Sequence, residues 1–172
     1  YVLNKLGVNV SGDIGCYTLG AMAPLSSIHT CVCMGASIGM ARGAAQAGAK
    51  YTFGVIGDST FLHSGMTNLV DCVSSKTPVT VIILDNSIVA MTGCQKTILP
   101  SSQLEPLVKG LGVEPEHIRV LSTNPSERDN NAKILLEEAE YRGVSVVIMV
   151  RECLEAFRLR TKAEKIAKAK GN

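Results

Sequence analysis

Residues 54–65 read GVIGDSTFLHSG: an apolar strand that runs into an acid, Asp58, then two hydroxyls, Ser59 and Thr60, then a helix. A second apolar run, VIILDNSIVAMTG, passes through Asp85 and Asn86. A lone carboxylate at the end of a buried strand is costly, because burial disfavours its charged form. In an open α/β sheet, ligands bind at the carboxyl ends of the strands, and adjacent parallel strands would bring Asp58 and Asn86 to one crevice. One carboxylate, one amide oxygen and a nearby main-chain carbonyl, completed by water and ligand oxygens, make the hard octahedral set that Mg²⁺ prefers. The turn at 57–60 and the helix after it can offer N–H groups to a diphosphate. The acid is then tolerated because a divalent cation, itself held by an anionic ligand, neutralises it.

The elements that must position these groups follow from hydrophobic periodicity. A short strand at 8–10 leads into SGDIGCYTLG, and SSIHTCVCMG holds a second extended piece. Residues 36–48 form an alanine-rich helix, with Gly35, Gly39 and Gly43 every fourth residue giving a flat face for close packing. The runs at 51–56 and 79–84 are apolar and β-branched almost without interruption, as expected of strands covered on both faces in a parallel sheet. Helices are expected at 65–74, 103–111 and 130–142, an extended segment at 118–121, and a third strong strand at 144–150. The βαβαβ order predicts an α/β fold: a doubly wound, mostly parallel sheet with helices on both faces and right-handed crossovers.

Composition sets the class. The chain has 172 residues, enough for one ordinary domain, with 46% hydrophobic and only 4% aromatic residues. No apolar run approaches a bilayer-spanning length, and no signal pattern opens the chain, so the default location is cytoplasmic. Tyr1, not Met, comes first, as in a fragment or a processed product. A net charge of +2 is too small to argue for nucleic acid, and its excess sits in a basic tail from Arg151 onward. That tail reads as a solvated helix, a docking helix or a linker. Cys16, Cys31, Cys33, Cys72, Cys94 and Cys153 match no zinc or iron-sulfur spacing and are expected as small buried hydrophobes in a reducing compartment. No G-x-G-x-x-G follows the first strand and no P-loop lysine closes the glycine series, which argues against a Rossmann or P-loop nucleotide site.

Gly57-Asp58-Ser59, followed 28 residues after the acid by Asn86, resembles the thiamine diphosphate signature. Together with SGDIGCYTLG, CVCMGASIGMARGAA and LDNSIVAMTG, it resembles the thiamine-binding part of the 2-oxoacid:ferredoxin oxidoreductases, of the type of the indolepyruvate ferredoxin oxidoreductase alpha subunit. The resemblance covers residues 5–150. It implies a thiamine diphosphate/Mg²⁺-binding domain over 1–150 and a basic helical tail or linker over 151–172. It also implies that Asp58 and Asn86 coordinate Mg²⁺ by side chains and Ile88 by its carbonyl. Gly57, Ser59 and Thr60 would hold the diphosphate, with Ala90 and Met91 on its other side. Ile14, Gly15, Cys16 and Tyr17 match the loop beside the thiazolium ring, and Met34 matches a further cofactor contact. The implied reaction is oxidative decarboxylation of an aryl 2-oxoacid to an acyl-CoA, with electrons passed to ferredoxin.

The sequence departs from the family in three ways. The clustered cysteines of an iron-sulfur segment are missing, so no iron-sulfur cluster is expected on this chain and electrons must leave through ferredoxin or an iron-sulfur chain. Cys94 stands where the family usually has His after MTG. The glutamate that activates the aminopyrimidine is expected on a separate pyrimidine-binding domain or subunit, since Glu105, Glu114 and Glu116 fall in or near a surface helix. The chain is thus expected to supply part of an oligomeric active site whose catalytic residue is unassigned. His63, five residues past Asp58, is a candidate for the substrate side or else a helix-start residue; His29 lies near the glycine-rich entry and His117 is expected on the surface. Asp85 reads as a structural hydrogen-bonding acid, while Asp13 either caps a loop or lies near the cofactor. The alternatives are a non-oxidative thiamine-dependent 2-oxoacid decarboxylase subunit and a non-catalytic scaffold.

Overall fold

A computed structural model describes residues 1–170. Six strands form one parallel sheet: β1 (Asn9–Gly12), β2 (Thr30–Cys31), β3 (Thr52–Gly57), β4 (Val79–Asp85), β7 (Ile118–Ser122) and β8 (Val144–Val150), in the order β2-β1-β3-β4-β8-β7. A two-residue antiparallel pair, β5 (Ile88–Val89) with β6 (Gln95–Lys96), follows β4. The helices are α1 (Val2–Leu6), α2 (Ala36–Gln46), α3 (Asp58–Thr60), α4 (Met66–Ser75), α5 (Leu104–Gly110), α6 (Arg128–Glu140) and α7 (Leu154–Lys170).

The three central strands are apolar on both faces because side chains alternate across a strand. Val81, Ile83, Val146 and Ile148 enter one core with Ile38, Phe61, Leu69 and Val108, from α2, the helix after β3, and α5. Ile82 and Val147, one residue out of step, enter a second core with Val10, Phe53, Val55 and Leu135, the last from α6. Helices therefore cover both faces, and the sheet is doubly wound as expected. The β3–β4 register places Gly57 opposite Leu84, so Asp58 emerges level with Asp85, the last residue of its neighbour.

Several local expectations need correction. The first strand runs from Asn9 to Gly12 rather than 8–10, so the SG of SGDIG is sheet, not loop. The turn expected at 57–60 is already helix: α3 begins at Asp58 and passes through a π-helical turn, Phe61–Gly65, into α4. Of the glycine series, Gly35 and Gly39 do allow a close approach, against Ser64 and Asn68 of the helical run after β3, whereas Gly43 faces open space; the tight helix-sheet contact falls on Gly54, where a Cβ would lie 3.1 Å from the Ile38 Cα. Only Cys72 is buried, its thiol pushed up to about 11 by desolvation; Cys16, Cys31 and Cys33 are exposed and Cys94 and Cys153 half-buried. These exposed and half-buried thiols lie in a 3-10 turn (Cys16), the two-residue edge strand β2 (Cys31) and loops, where the sequence pattern carries no burial signal.

His117 is not a plain surface residue. Its Nδ1 lies 2.8 Å from Oε2 of the buried Glu138, whose Oε1 accepts from Arg119 Nε at 2.6 Å, and its ring stacks on Tyr141 at 3.4 Å. Glu138 on α6 needs these partners, since an unpaired buried carboxylate is unstable. No helix of the described residues is long and apolar enough to cross a membrane.

Candidate functional site

Asp58 is 4% exposed, at the end of β3 and the start of a continuous helical run. Its Oδ1 accepts from its neighbour Ser59 N at 2.7 Å. Its Oδ2 reaches across to the tip of β4, accepting from Ser87 N at 2.9 Å and Asn86 N at 3.3 Å. Asn86 Oδ1 in turn accepts from Ile88 N at 3.1 Å. Ser87, at φ 59, bends the chain so that these amides face the acid. The structure thus brings together residues that the sequence expected at one place: Asp58, Asn86 and the start of β5 share one hydrogen-bonded cluster.

The electrostatics of the cluster are unbalanced within the protein. Burial, and then the charge of Asp85, push the Asp58 carboxyl above its ordinary value, while the N–H groups of Ser59, Ser87 and Asn86 pull the other way. Asp85 is 2% exposed; its Oδ1 accepts from Ser87 N at 3.1 Å and Ser87 Oγ at 3.4 Å, but its Oδ2 has no hydrogen-bond partner. Ser59 Oγ is likewise buried and unpartnered. Two adjacent buried acids, one with an oxygen that no donor meets, beside an idle hydroxyl in the first helical turn, fit a cation bound together with an anionic group. Among the described residues no three His, Cys, Asp or Glu side chains are placed to hold a metal, so such a cation would take most of its oxygens from Asn86, a carbonyl, water and the anion, in the manner of Mg²⁺.

A second wall is built by the loop after β1. Tyr17 Oη accepts from Gly57 N at 2.9 Å and donates to Ile14 O at 3.3 Å, and burial keeps the phenol neutral by raising its pKa. The ring thus joins the loop carrying Ile14, Gly15 and Cys16 to the turn carrying Asp58. Removing this acceptor in Tyr17→Phe strands the Gly57 N–H, and the expected cost is about 1 kcal/mol of stability in urea unfolding; an unchanged midpoint would show that the contact contributes nothing. Met34 is exposed, and Gly35 behind it, at φ 89, touches the π-turn: a Cβ there would lie 2.2 Å from Ser64 Oγ, and Asn68 Nδ2 donates to Gly35 O at 3.0 Å.

The remaining candidates are less engaged. Ala90 and Met91 lie on the 3-10 turn Ala90–Thr92, with no hydrogen bond to the Asp58 turn among the described residues. His63 is exposed on the π-turn. His29 serves the sheet instead, its Nδ1 accepting from Val10 N at 3.1 Å. Two further residues prove central: Ser87, which sequence reasoning did not single out and whose amide binds both Asp58 and Asp85, and Asp13, which it left open between capping a loop and lying near the cofactor and which anchors the second wall. The Asp-Asn-Ser triplet at 85–87, with turn-forming residues directly after a strand, is the one signal that points to Ser87.

A doubly wound parallel sheet with a buried acid and an amide on neighbouring strand tips defines an α/β domain whose polar groups collect at the carboxyl ends of its strands. The profile of the family described as thiamine pyrophosphate enzyme, C-terminal TPP binding domain, matches residues 13–149, and the chain belongs to that family. It is 34% identical over 163 residues to indolepyruvate oxidoreductase subunit IorA of Archaeoglobus fulgidus, covering 88% of this chain and 26% of that protein. It is 33% identical over 168 residues to the same subunit of Pyrococcus abyssi, covering 82% and 25%. The chain therefore spans about a quarter of the length of the curated relatives it matches. Among solved structures, a 2-oxoglutarate:ferredoxin oxidoreductase from Magnetococcus marinus superposes with a TM-score of 0.67 at 14% identity, over 88% of this chain and 58% of that one. A thiamine diphosphate-dependent 4-hydroxybenzoylformate decarboxylase from Rhodococcus jostii does so with a TM-score of 0.60 at 17% identity, over 88% and 31%. At these identities the likeness is one of fold.

Proposed function

We propose that the chain is the thiamine diphosphate- and Mg²⁺-binding part of a 2-oxoacid oxidoreductase of indolepyruvate type. The observation that carries this reading is the Asp58–Asn86–Ser87 cluster, with two buried acids, Asp58 and Asp85, that have no ion-pair partner among the described residues. In it, Asp58 and Asn86 hold Mg²⁺ through side-chain oxygens and Ile88 through its carbonyl. Gly57, Ser59 and Thr60 present the start of a helix to the diphosphate, and Ala90 and Met91 close its other side. Ile14, Gly15, Cys16, Tyr17 and Met34 line the ring end. When bound, thiamine diphosphate supplies the electron sink for decarboxylating a 2-oxoacid. The protein's own work is to fix the diphosphate, orient the ring and exclude water.

The site is one wall of an active site. Two surface clefts, one beside Tyr141 and one beside Phe157, hold none of these residues. An open wall carrying exposed Ile14, Met34 and Met91 fits completion by a pyrimidine-binding domain or subunit, which would supply the activating glutamate in a cytoplasmic oligomer. Electrons then leave to ferredoxin or an iron-sulfur chain, and the acyl group to coenzyme A. His63 stands as a candidate on the substrate side.

Calorimetry of the intact protein, purified with the chains that accompany it, tests the reading. Thiamine diphosphate should bind with Mg²⁺ present and not with EDTA. An intact assembly that shows no heat under either condition leaves a non-catalytic scaffold as the better description. Products then separate the two enzyme readings: acyl-CoA with reduced ferredoxin supports the oxidoreductase, whereas an aldehyde released without reduction supports the non-oxidative decarboxylase.

A further inference from the structure

We propose that Asp13 is a positioning residue for the ring end of the cofactor site, an inference that rests on the thiamine diphosphate reading above. Asp13 follows β1 directly and is fully buried. No ion pair of Asp13 occurs among the described residues; its carboxylate is held by backbone donors alone. Oδ1 accepts from Ile14 N and from Gly35 N, each at 2.8 Å, and Oδ2 accepts from Ser37 N at 3.0 Å. Gly35 and Ser37 begin α2, whose first N–H groups lack intrahelical acceptors.

A helix is ordinarily capped by a side chain at its own N-cap. Here the N-cap is Gly35, at φ 89 and against Ser64, where no side chain fits. The cap therefore comes from 22 residues upstream. That long reach has a geometric result which a local cap would not have. One carboxylate locks the loop carrying Ile14, Gly15, Cys16 and Tyr17 to the segment carrying Met34 and the start of α2. Thr18 tightens the same loop, donating to Asp13 O at 2.7 Å and accepting from Gly15 N at 3.0 Å. Cys31 Sγ approaches the same carbonyl at 3.6 Å. Tyr17 then ties the loop to Gly57. Ile14, Cys16 and Met34 on these segments are exposed, and the buried anchor fixes the backbone that carries them. Asp13 touches no bound group itself; it acts through the two segments it joins.

Asp13→Asn keeps the shape and removes one acceptor, since an amide can satisfy the Oδ1 donors or the Oδ2 donor but not both sets. In the intact protein with Mg²⁺, calorimetric affinity for thiamine diphosphate is expected to fall about tenfold or more, because bonds to a buried charge are among the stronger ones. Affinity for Mg²⁺ with methylenediphosphonate, which probes the Asp58 turn alone, is expected to stay within about twofold of the unmodified protein. Equal losses for both ligands would mean that Asp13 only supports the fold, and no loss for either would mean that it positions nothing; each overturns the proposal. Should Asp13→Asn fail to fold, Thr18→Val loosens the same loop without touching the carboxylate. It is expected to weaken thiamine diphosphate by about fivefold and spare the diphosphonate; an unchanged affinity for both ligands overturns the proposal. Failure of the unmodified protein to bind thiamine diphosphate overturns the cofactor reading itself, and the Asp13 assignment with it.

Discussion

Asp58→Asn is expected to weaken Mg²⁺-dependent thiamine diphosphate binding by about 100-fold or more, while leaving the metal-free protein as stable as before or slightly more so. The two halves of this expectation come from the same geometry. Changing groups that merely orient a ligand typically costs roughly 10- to 100-fold in metal affinity, and Asp58 is proposed as a ligand whose charge the cation balances. In metal-free protein that charge is a liability: Asp58 is buried and stands beside Asp85, which together raise its pKa. The sign follows. A carboxyl whose folded pKa exceeds its ordinary value of 3.8 binds more protons folded than unfolded, so stability falls as pH rises from that value through the folded pKa. Melting of EDTA-treated protein should therefore show stability declining as pH rises above about 4. Mg²⁺ with thiamine diphosphate should reverse the decline, and Asp58→Asn should flatten it. Undiminished binding by the variant would remove Asp58 from the metal set.

Phe61→Ala should have the largest effect on stability, about 3–5 kcal/mol. Phe61 is fully buried one residue after Thr60, in the core that also holds Ile38 and Ile56. It opens the π-turn, and Gly65 packs so closely on it that a Cβ there would lie 2.9 Å from the Phe61 ring. Removing the ring leaves a cavity under the first helical turn that carries Asp58, Ser59 and Thr60. With roughly 2–4 °C of melting temperature per kcal/mol for a chain of this size, a drop of about 10 °C is expected in thermal unfolding. A loss below about 1 kcal/mol would mean that the helix start is held by its hydrogen bonds instead.

The central sheet was legible because its physics is local in sequence. β3, β4 and β8 are continuous apolar runs, and strands buried on both faces have no other way to read. Their tips bear Asp58, Asp85 and Asn86, so the crevice could be placed before its geometry was known. The edges read less well. β2, β5 and β6 have two residues each, exposed in β2 and β6 and half-buried in β5, too short for any period to show. The cysteines misled for the same reason: residue type predicts average burial, but five of the six stand in an edge strand, a 3-10 turn or loops, where neighbours decide.

Sequence alone determined that an acid and an amide end two neighbouring parallel strands, because alternation and strand length are properties of consecutive residues. Only the tertiary structure decided which donors meet them. That Ser87 N binds Asp58, that Tyr17 reaches Gly57, and that Asp13 caps α2 are contacts between residues 22 to 40 positions apart. No periodicity spans such distances; they follow from how the helices pack over the sheet, at Gly54 against Ile38 and Gly35 against Ser64.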